Sequence, residues 1–348
     1  MSRVSIKDIA REVGVSAASV SLVLNEKDEG SRISKDLAKK IREKAKEMHY
    51  EPNNLARSLR TGYSNTIGLI VADISNVFFA SLAFHIQEQA EKYGYSVIIA
   101  NTNESTLKME KMINVLKSKP VDGFIIVPTE HGDSYICDLL KRHTPVVLID
   151  RFFPHIEISS VIVDNYNSSR KACEYLINNG CRRVGLIAYK SELQHTKDRK
   201  QGYIDAMKTH GIYDPSLVKE IDYSTFADDI AITIDSLMSK ENRVDGMFFA
   251  TNTLSMAGIK QLFEAGIQVP RDLKVCCFDK SEAFDFMDAK IPYILQPIRE
   301  MGKAAVELVI EQIKQDTNVE TANYKSVVEI PARLITPSPG NVSFSPSS

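Results

Sequence analysis

Long apolar runs are missing from this chain of 348 residues: the longest, such as Ile67-Gly68-Leu69-Ile70-Val71-Ala72, falls far short of the roughly 20 residues that span a bilayer, so no membrane segment is expected. The start, Met1-Ser2-Arg3-Val4-Ser5-Ile6-Lys7-Asp8, reaches charge at once and lacks the apolar core of a secretory signal, which points to the cytoplasm. Cysteine is scarce and unpatterned. Five residues, at 137, 173, 181, 276 and 277, form no C-x-x-C pair, so they read as reduced thiols and neither a metal nor a redox centre is expected. The chain also lacks G-x-x-x-x-G-K-[ST], H-E-x-x-H and G-x-S-x-G, which leaves an enzyme without phosphate loop, zinc helix or nucleophile elbow and gives no reason to expect a cofactor.

What is present is a globular composition, 43% hydrophobic and 25% charged, long enough for about two to three folding units. A net charge of -2 hides an asymmetry. Residues 1–60 hold 13 Lys and Arg against 9 Asp and Glu, a net of +4, which leaves 30 against 36, or -6, for the rest. A small basic unit joined to an acidic one is suited to meet a polyanion with its head alone, although a solvated surface has the same composition.

In that head Ile6, Ile9, Ala10 and Val13 share one helical face, and Gly14 ends the helix. Ser16 then caps a second helix, Ala17 to about Asn25, with Val20, Val23 and Leu24 turned inward. A third helix starts from Ser34 and carries Leu37, Ile41, Ala45 and Met48 on one stripe. Two short helices joined by a glycine turn form a helix-turn-helix candidate, with Ala17, Ala18, Ser21, Leu22 and Asn25 left facing outward to read bases. The segment Tyr50 to Gly62 has Pro52 to open a helix and Gly62 to end one, too short to be stable alone. Leu55 and Leu59 flanked by Arg57 and Arg60 fit a minor-groove wedge with phosphate contacts, and a basic linker fits equally well.

From Thr66 the pattern becomes continuous apolar runs alternating with helical stretches, the pattern of buried parallel strands in an α/β fold. Runs opening at Thr66, Asp122 and Pro145 are echoed at Arg183, Asp245 and Lys274. The intervals match as well: Ile67 to Asp122 to Asp150 spans 55 and 28 residues, Val184 to Asp245 to Asp279 spans 61 and 34. Two copies of one unit facing each other would enclose a ligand beyond their strand ends, between Asp73, Thr129, Asp150 and Arg151 on one side and Tyr189, Asn252 and Asp279 on the other. Gly94, Gly180, Gly211 and Gly266 read as repeated helix stops, and the Ser- and Pro-rich end after Arg333 reads as a disordered tail with no heptad.

An ordered set of motifs then stands out: Ile6-Lys7-Asp8-Ile9-Ala10, Gly14-Val15-Ser16, Ser19-Val20-Ser21 and Val23-Leu24-Asn25, then Tyr50, Pro52-Asn53, Ala56-Arg57 and Leu59-Arg60. Asn76-Val77-Phe78-Phe79, Gly94-Tyr95, Asp150-Arg151, Arg199, Gly202-Tyr203, Phe278-Asp279 and Gln296-Pro297 follow. With these the chain resembles the LacI/GalR family of bacterial transcription regulators over residues 3 to about 336. The resemblance implies an α-helical helix-turn-helix head (1–50), a hinge helix (51–63) and an α/β two-lobed sensor of parallel sheets like the periplasmic binding proteins (64–336). It divides the sensor into an N-lobe of about 64–163 and 296–324 and a C-lobe of about 164–295 and 325–336, leaving 337–348 as the tail.

It further implies a homodimer on a pseudo-palindromic double-stranded operator, repressing carbohydrate-use genes under a sugar or sugar acid, with no membrane partner. Ala17, Ala18 and Leu22 fall on the base-reading positions and Leu59 on the operator wedge; Ser5, Ser16, Ser19, Ser21, Asn25, Tyr50, Asn53, Ala56, Arg57 and Arg60 complete the DNA-facing set. Many members carry arginine where this chain has Leu22, so the half-site is expected to differ. The effector set is Phe78, Phe79, Arg151, His195, Arg199, Phe226, Asn252, Asp279 and Gln296, an aromatic face with converging polar groups. Phe79 serves equally as core and Arg151 as an ion-pair partner, and the two arginines keep an acidic or phosphorylated sugar open. Two lobes alone also permit a solute-binding transport protein, against which the basic head and the missing signal peptide argue.

Overall fold

Capping chemistry sets the ends of the head's helices. In this computed structural model, which describes residues 4–25, 33–50, 62–241, 243–287, 290–315 and 326–336, Ser5 and Asp8 form a reciprocal capping box at the start of α1 (Ile6–Val13). Gly14, at φ +78°, closes that helix through its N–H to the Ala10 carbonyl. Ser16 caps α2 (Ala17–Leu24) and Ser34 caps α3 (Lys35–Glu47) by accepting from backbone N–H groups. The core they share is Ile9, Ala10, Val13, Val20, Val23, Ala38, Ile41 and Ala45, with Leu24, Leu37 and Met48 packed on its edge. The expected hinge (Asn53, Ala56, Arg57, Leu59 and Arg60) and the tail lie outside the described residues. Residues 1–64 and 65–348 form two separate units.

The larger unit holds two six-stranded sheets built on one plan. In chain order its first half contains β1 (Thr66–Val71), α4 (Val77–Lys92), β2 (Ser96–Asn101), α5 (Thr106–Lys117), β3 (Gly123–Ile126), α6 (Asp133–Lys141), β4 (Val146–Ile149) and β5 (Ser160–Val163). Its second half contains α7 (Asn165–Asn178), β6 (Val184–Tyr189), α8 (Gln194–Thr209), β7 (Val218–Ile221), α9 (Phe226–Met238), β8 (Gly246–Phe249), α10 (Asn252–Glu264), β9 (Lys274–Phe278), α11 (Ala283–Phe286) and β10 (Tyr293–Leu295). Then α12 (Ile298–Lys314), β11 (Val327–Ile330) and β12 (Arg333–Ile335) return to both sheets.

The strand orders, β11-β5-β4-β3-β1-β2 and β12-β10-β9-β8-β6-β7, superpose position by position. Gly68 on β1 and Gly185 on β6 recur at the same place, as do Gly123 and Gly246 at the starts of β3 and β8, where a Cβ would lie 2.9 Å from Val309 and from the Cys181 sulfur respectively. The central strands β1, β3, β4, β6, β8 and β9 are almost wholly buried because helices cover both faces of each sheet, while β2 is a half-exposed edge.

The sheets are parallel as expected save at one edge, where β12 runs antiparallel to β10. The lobe boundary expected near residue 325 moves: Val327–Ile330 pairs in parallel with β5 in the first sheet, and only Arg333–Ile335 joins the second. The chain thus crosses between lobes after β5, after β10 and after β11, and several crossings make a hinge rather than a rigid stack. Four of the five cysteines are buried and all five are free; burial raises the thiol pKa of Cys173, Cys181, Cys276 and Cys277, which keeps them inert.

Candidate functional site

Two surfaces carry the expected chemistry. The first is the outer face of α2. Ala18 and Leu22 are exposed on it, Leu22 by 39%, with Ala17, Ser21 and Asn25 partly exposed beside them. Its polar groups are already engaged: Ser16 and Ser19 hydroxyls bond each other at 2.9 Å, and the Asn25 amide donates to the Ser21 carbonyl at 2.6 Å. Ser5 is held in the α1 capping box, its hydroxyl 2.6 Å from Asp8 Oδ2. Tyr50 packs at the edge of the head's core.

The second is a cleft between the two lobes, at the carboxyl ends of β1, β4, β6, β8 and β9, where open α/β sheets bind ligands. Of the nine expected effector residues, Phe78, Phe79, Arg151, His195, Arg199, Asn252, Asp279 and Gln296 border it. Phe226 does not. It stands behind Tyr189 and Tyr223, its ring centroid 6.1 and 6.3 Å from theirs, so these tyrosines present the aromatic surface instead. Thr129 is also absent from the cleft, buried with its hydroxyl toward Thr106 at 3.3 Å. Glu104, Thr196, Tyr223, Thr251 and Thr253 line the cleft without having been expected there. Glu104 and Tyr223 come from turns after edge strands, and no periodicity marks such positions.

Sheet geometry aims the carboxylates. Asp150 and Asp279 end equivalent strands, each N–H bonding the neighbouring strand at 2.9 Å, to Val161 O and Ile294 O, and each adopts a left-handed conformation, φ +68° and +72°. That conformation costs a non-glycine residue of order 1 kcal/mol and turns each side chain from the sheet into the cleft. Arg199 lies between them. Its Nε donates to Asn165 Oδ1 and a terminal nitrogen to the Ala250 carbonyl, both at 2.8 Å, and its guanidinium stacks 3.5 Å over the Phe278 ring.

Burial pushes the Asp279 carboxyl up to about 6, although Arg199 and a 2.7 Å bond from Gln296 Nε2 favour its charge. Burial raises Asp150 as well, against the pull of Arg151 and Arg199. His195 is held well below its usual range by burial and by both arginines, which makes it a neutral imidazole. Burial opposes the charge of Arg151, but Glu104 and Asp150 outweigh it.

Among the described residues three buried side-chain polar atoms without a hydrogen-bond partner, Arg151 Nε, His195 Nδ1 and Gln296 Oε1, border this one cleft, and the Tyr189 hydroxyl beside them interacts with Thr253. Buried polar atoms are normally paired, so their convergence marks a site for a polar ligand. The lobes meet around it: Tyr223 donates to Asp73 at 3.0 Å, Asn76 to Thr253 at 3.4 Å, and Ser191 and the Glu192 N–H to Glu130 at 3.1 and 2.8 Å. The free volume between the lobes is about 70 Å³, well under the roughly 300–1,000 Å³ of ligand pockets, so a sugar-sized ligand needs more room than this arrangement leaves.

Fold and cleft together define a two-lobed ligand-binding protein whose chain opens with a helix-turn-helix unit. The family profile of bacterial regulatory proteins of the lacI family matches residues 5–53, and that of the periplasmic binding protein-like domain matches residues 173–336. Over 327 residues the chain is 30% identical to the transcriptional regulator RegA of Clostridium saccharobutylicum, covering 92% of this chain and 95% of that one. Over 335 residues it is 29% identical to the ribose operon repressor of Halalkalibacterium halodurans, covering 95% of each. A lac repressor dimer bound to operator shares the fold, with a TM-score of 0.82 at 20% identity over 96% of this chain and 98% of that one. The chain belongs to the LacI family of bacterial regulatory proteins, whose members are DNA-binding transcriptional regulators and not enzymes. No described helix is long and apolar enough to cross a membrane.

Proposed function

We propose that this protein is a cytoplasmic repressor of carbohydrate-use genes that binds a pseudo-palindromic operator as a homodimer and is controlled by a small sugar held between the lobes. The observation that carries the effector half is the convergence of three unpartnered buried polar atoms, beside Phe78 and Phe79, in one interlobe cleft. Ring C–H groups pack on aromatic rings, and hydroxyls both accept from Arg151 and Tyr189 and donate to Gln296 and the carboxylates. A relative of this chain is a ribose operon repressor, which supports a sugar of similar size.

Residues Ala17, Ala18, Ser21, Leu22 and Asn25 read the major groove, with Ser5, Ser16, Ser19 and Tyr50 near the phosphates. Asn53, Ala56, Arg57, Leu59 and Arg60 serve the hinge in the minor groove. The second copy packs on the open edge of the first sheet, where Ile99 of β2, Phe84 of α4 and Leu107 of α5 are 41%, 64% and 75% exposed. Because the effector acts through its differential affinity for two lobe arrangements, closure is coupled to operator affinity.

The test is selection of randomised duplex DNA by the full-length protein, followed by operator binding with a panel of sugars for wild type and Tyr189→Phe. A recovered near-palindrome whose affinity one sugar alters, with that response weakened in the tyrosine variant, is the expected result. Phenylalanine keeps the ring packed on Tyr223 and Phe226, so the fold stays intact and an unchanged response in the variant refutes the cleft as the effector site.

A further inference from the structure

Arg151 is a ready partner for an anion, yet both of its terminal nitrogens are already taken. Both terminal nitrogens donate to Glu104, to Oε1 and Oε2 at 2.6 Å each, while Nε faces Asp150 Oδ2 at 3.6 Å. This is the bidentate geometry in which an arginine holds a ligand carboxylate or phosphate. The Arg151 and Glu104 side chains are 9% and 20% exposed, so the pair is shielded from water. Glu104 reaches that position from an improbable backbone. It follows Asn103 in the turn after β2, and these two residues have φ +58° and +48°, consecutive left-handed non-glycine residues. Its own N–H is anchored to the Ala72 carbonyl at 3.0 Å.

Strain of this kind persists where the surroundings over-determine it, which makes the carboxylate's placement a feature rather than an accident of the loop. The formal charge points the same way: Asp73, Glu104, Asp150 and Asp279 face only Arg151 and Arg199 across the cleft.

We infer that Glu104 sets the charge class of the effector, filling the Arg151 fork as a built-in carboxylate so that the cleft admits uncharged sugars and turns away sugar acids and sugar phosphates. The inference rests on the cleft being the effector site, and it narrows the sugar or sugar acid expected from the sequence to the neutral member. Glu104 is here a specificity residue that acts on the ligand through charge and through occupancy of Arg151.

The test is chemical rescue in the full-length protein. Glu104→Gly suits the left-handed backbone, so the fold tolerates it, and it opens a carboxylate-sized gap beside Arg151. Thermal unfolding is followed against sodium formate, with sodium chloride at equal ionic strength as control. Glu104→Gly should melt several degrees below wild type and recover in a saturable way with formate but not chloride. Wild type, and the double variant Glu104→Gly/Arg151→Gln, should not respond. Formate or inorganic phosphate stabilising wild type as strongly as the variant overturns the inference, because the fork is then open to outside anions. A folded glycine variant indifferent to formate overturns it too. Formate reads the Arg151 fork alone, so failure of the effector reading shows separately, as operator binding that no sugar alters.

Discussion

Replacing Asp279 by asparagine should make the protein more stable at neutral pH while damaging its response to effector. Asparagine keeps the left-handed backbone at φ +72°, which it tolerates better than most residues, and its Oδ1 still accepts the 2.7 Å bond from Gln296. What it removes is a charge that burial disfavours. The carboxyl rises from its ordinary 3.8 to about 6 in the fold, and each tenfold change in acidity is worth about 1.4 kcal/mol, so the ionised group costs at most about 3 kcal/mol. The sign follows from linkage. A folded pKa above the unfolded one gives a contribution that is complete below about 3.8 and is lost as pH rises through about 6. Wild type therefore carries the penalty above pH 6, and the variant, which does not titrate, escapes it. Urea unfolding of both proteins between pH 4 and pH 8 should show the variant ahead by up to about 3 kcal/mol at the high end and a gap that closes toward pH 4. A variant less stable at pH 8, or a gap independent of pH, would show that Arg199 more than compensates the buried carboxylate.

Arg199→Met leaves Asp150 and Asp279 facing each other without the guanidinium between them, so stability at pH 7 should fall by about 3 kcal/mol, and adding Asp279→Asn should restore part of it in a double-mutant cycle by urea unfolding. Gly202→Ala would place a Cβ 2.3 Å from the Tyr166 carbonyl oxygen and force α7 from α8, a loss of about 1–3 kcal/mol that thermal unfolding will register. Leu22 can offer only apolar contact, for instance to a thymine methyl, so replacing the contacted thymines by uracil should weaken operator binding. Leu22→Arg should shift selection toward guanine at one position per half-site, with about 1–3 kcal/mol of discrimination; an unchanged selected sequence would remove Leu22 from base reading.

Much of the architecture was legible in the residues. Ser16 and Ser34 announced helix starts because a hydroxyl before an apolar stripe satisfies orphan N–H groups locally, while the Ser5 capping box emerged only from the structure. Six of the buried strands, β1, β3, β4, β6, β8 and β9, were legible as apolar runs, whereas the short buried β5 was missed and so were β2, β7 and β12, since edge strands are half exposed and carry no uniform pattern. The sequence also separated one sheet from the other but misplaced β11, because the choice between two adjacent sheet edges is made by packing and not by composition.

The amino-acid sequence by itself determined the local elements, the duplication of the α/β unit and the family, since each of these follows from periodicity, capping and motif order along the chain. Tertiary structure alone decided the character of the cleft. Glu104 reaches Arg151 across 47 residues, Tyr189 displaces Phe226 from the lining across 37, and Asp150 and Asp279, 129 apart, share the field of Arg199. Charge pairing and desolvation act through space, and their sum at one point exists only when the strand ends of both lobes have been brought to face each other.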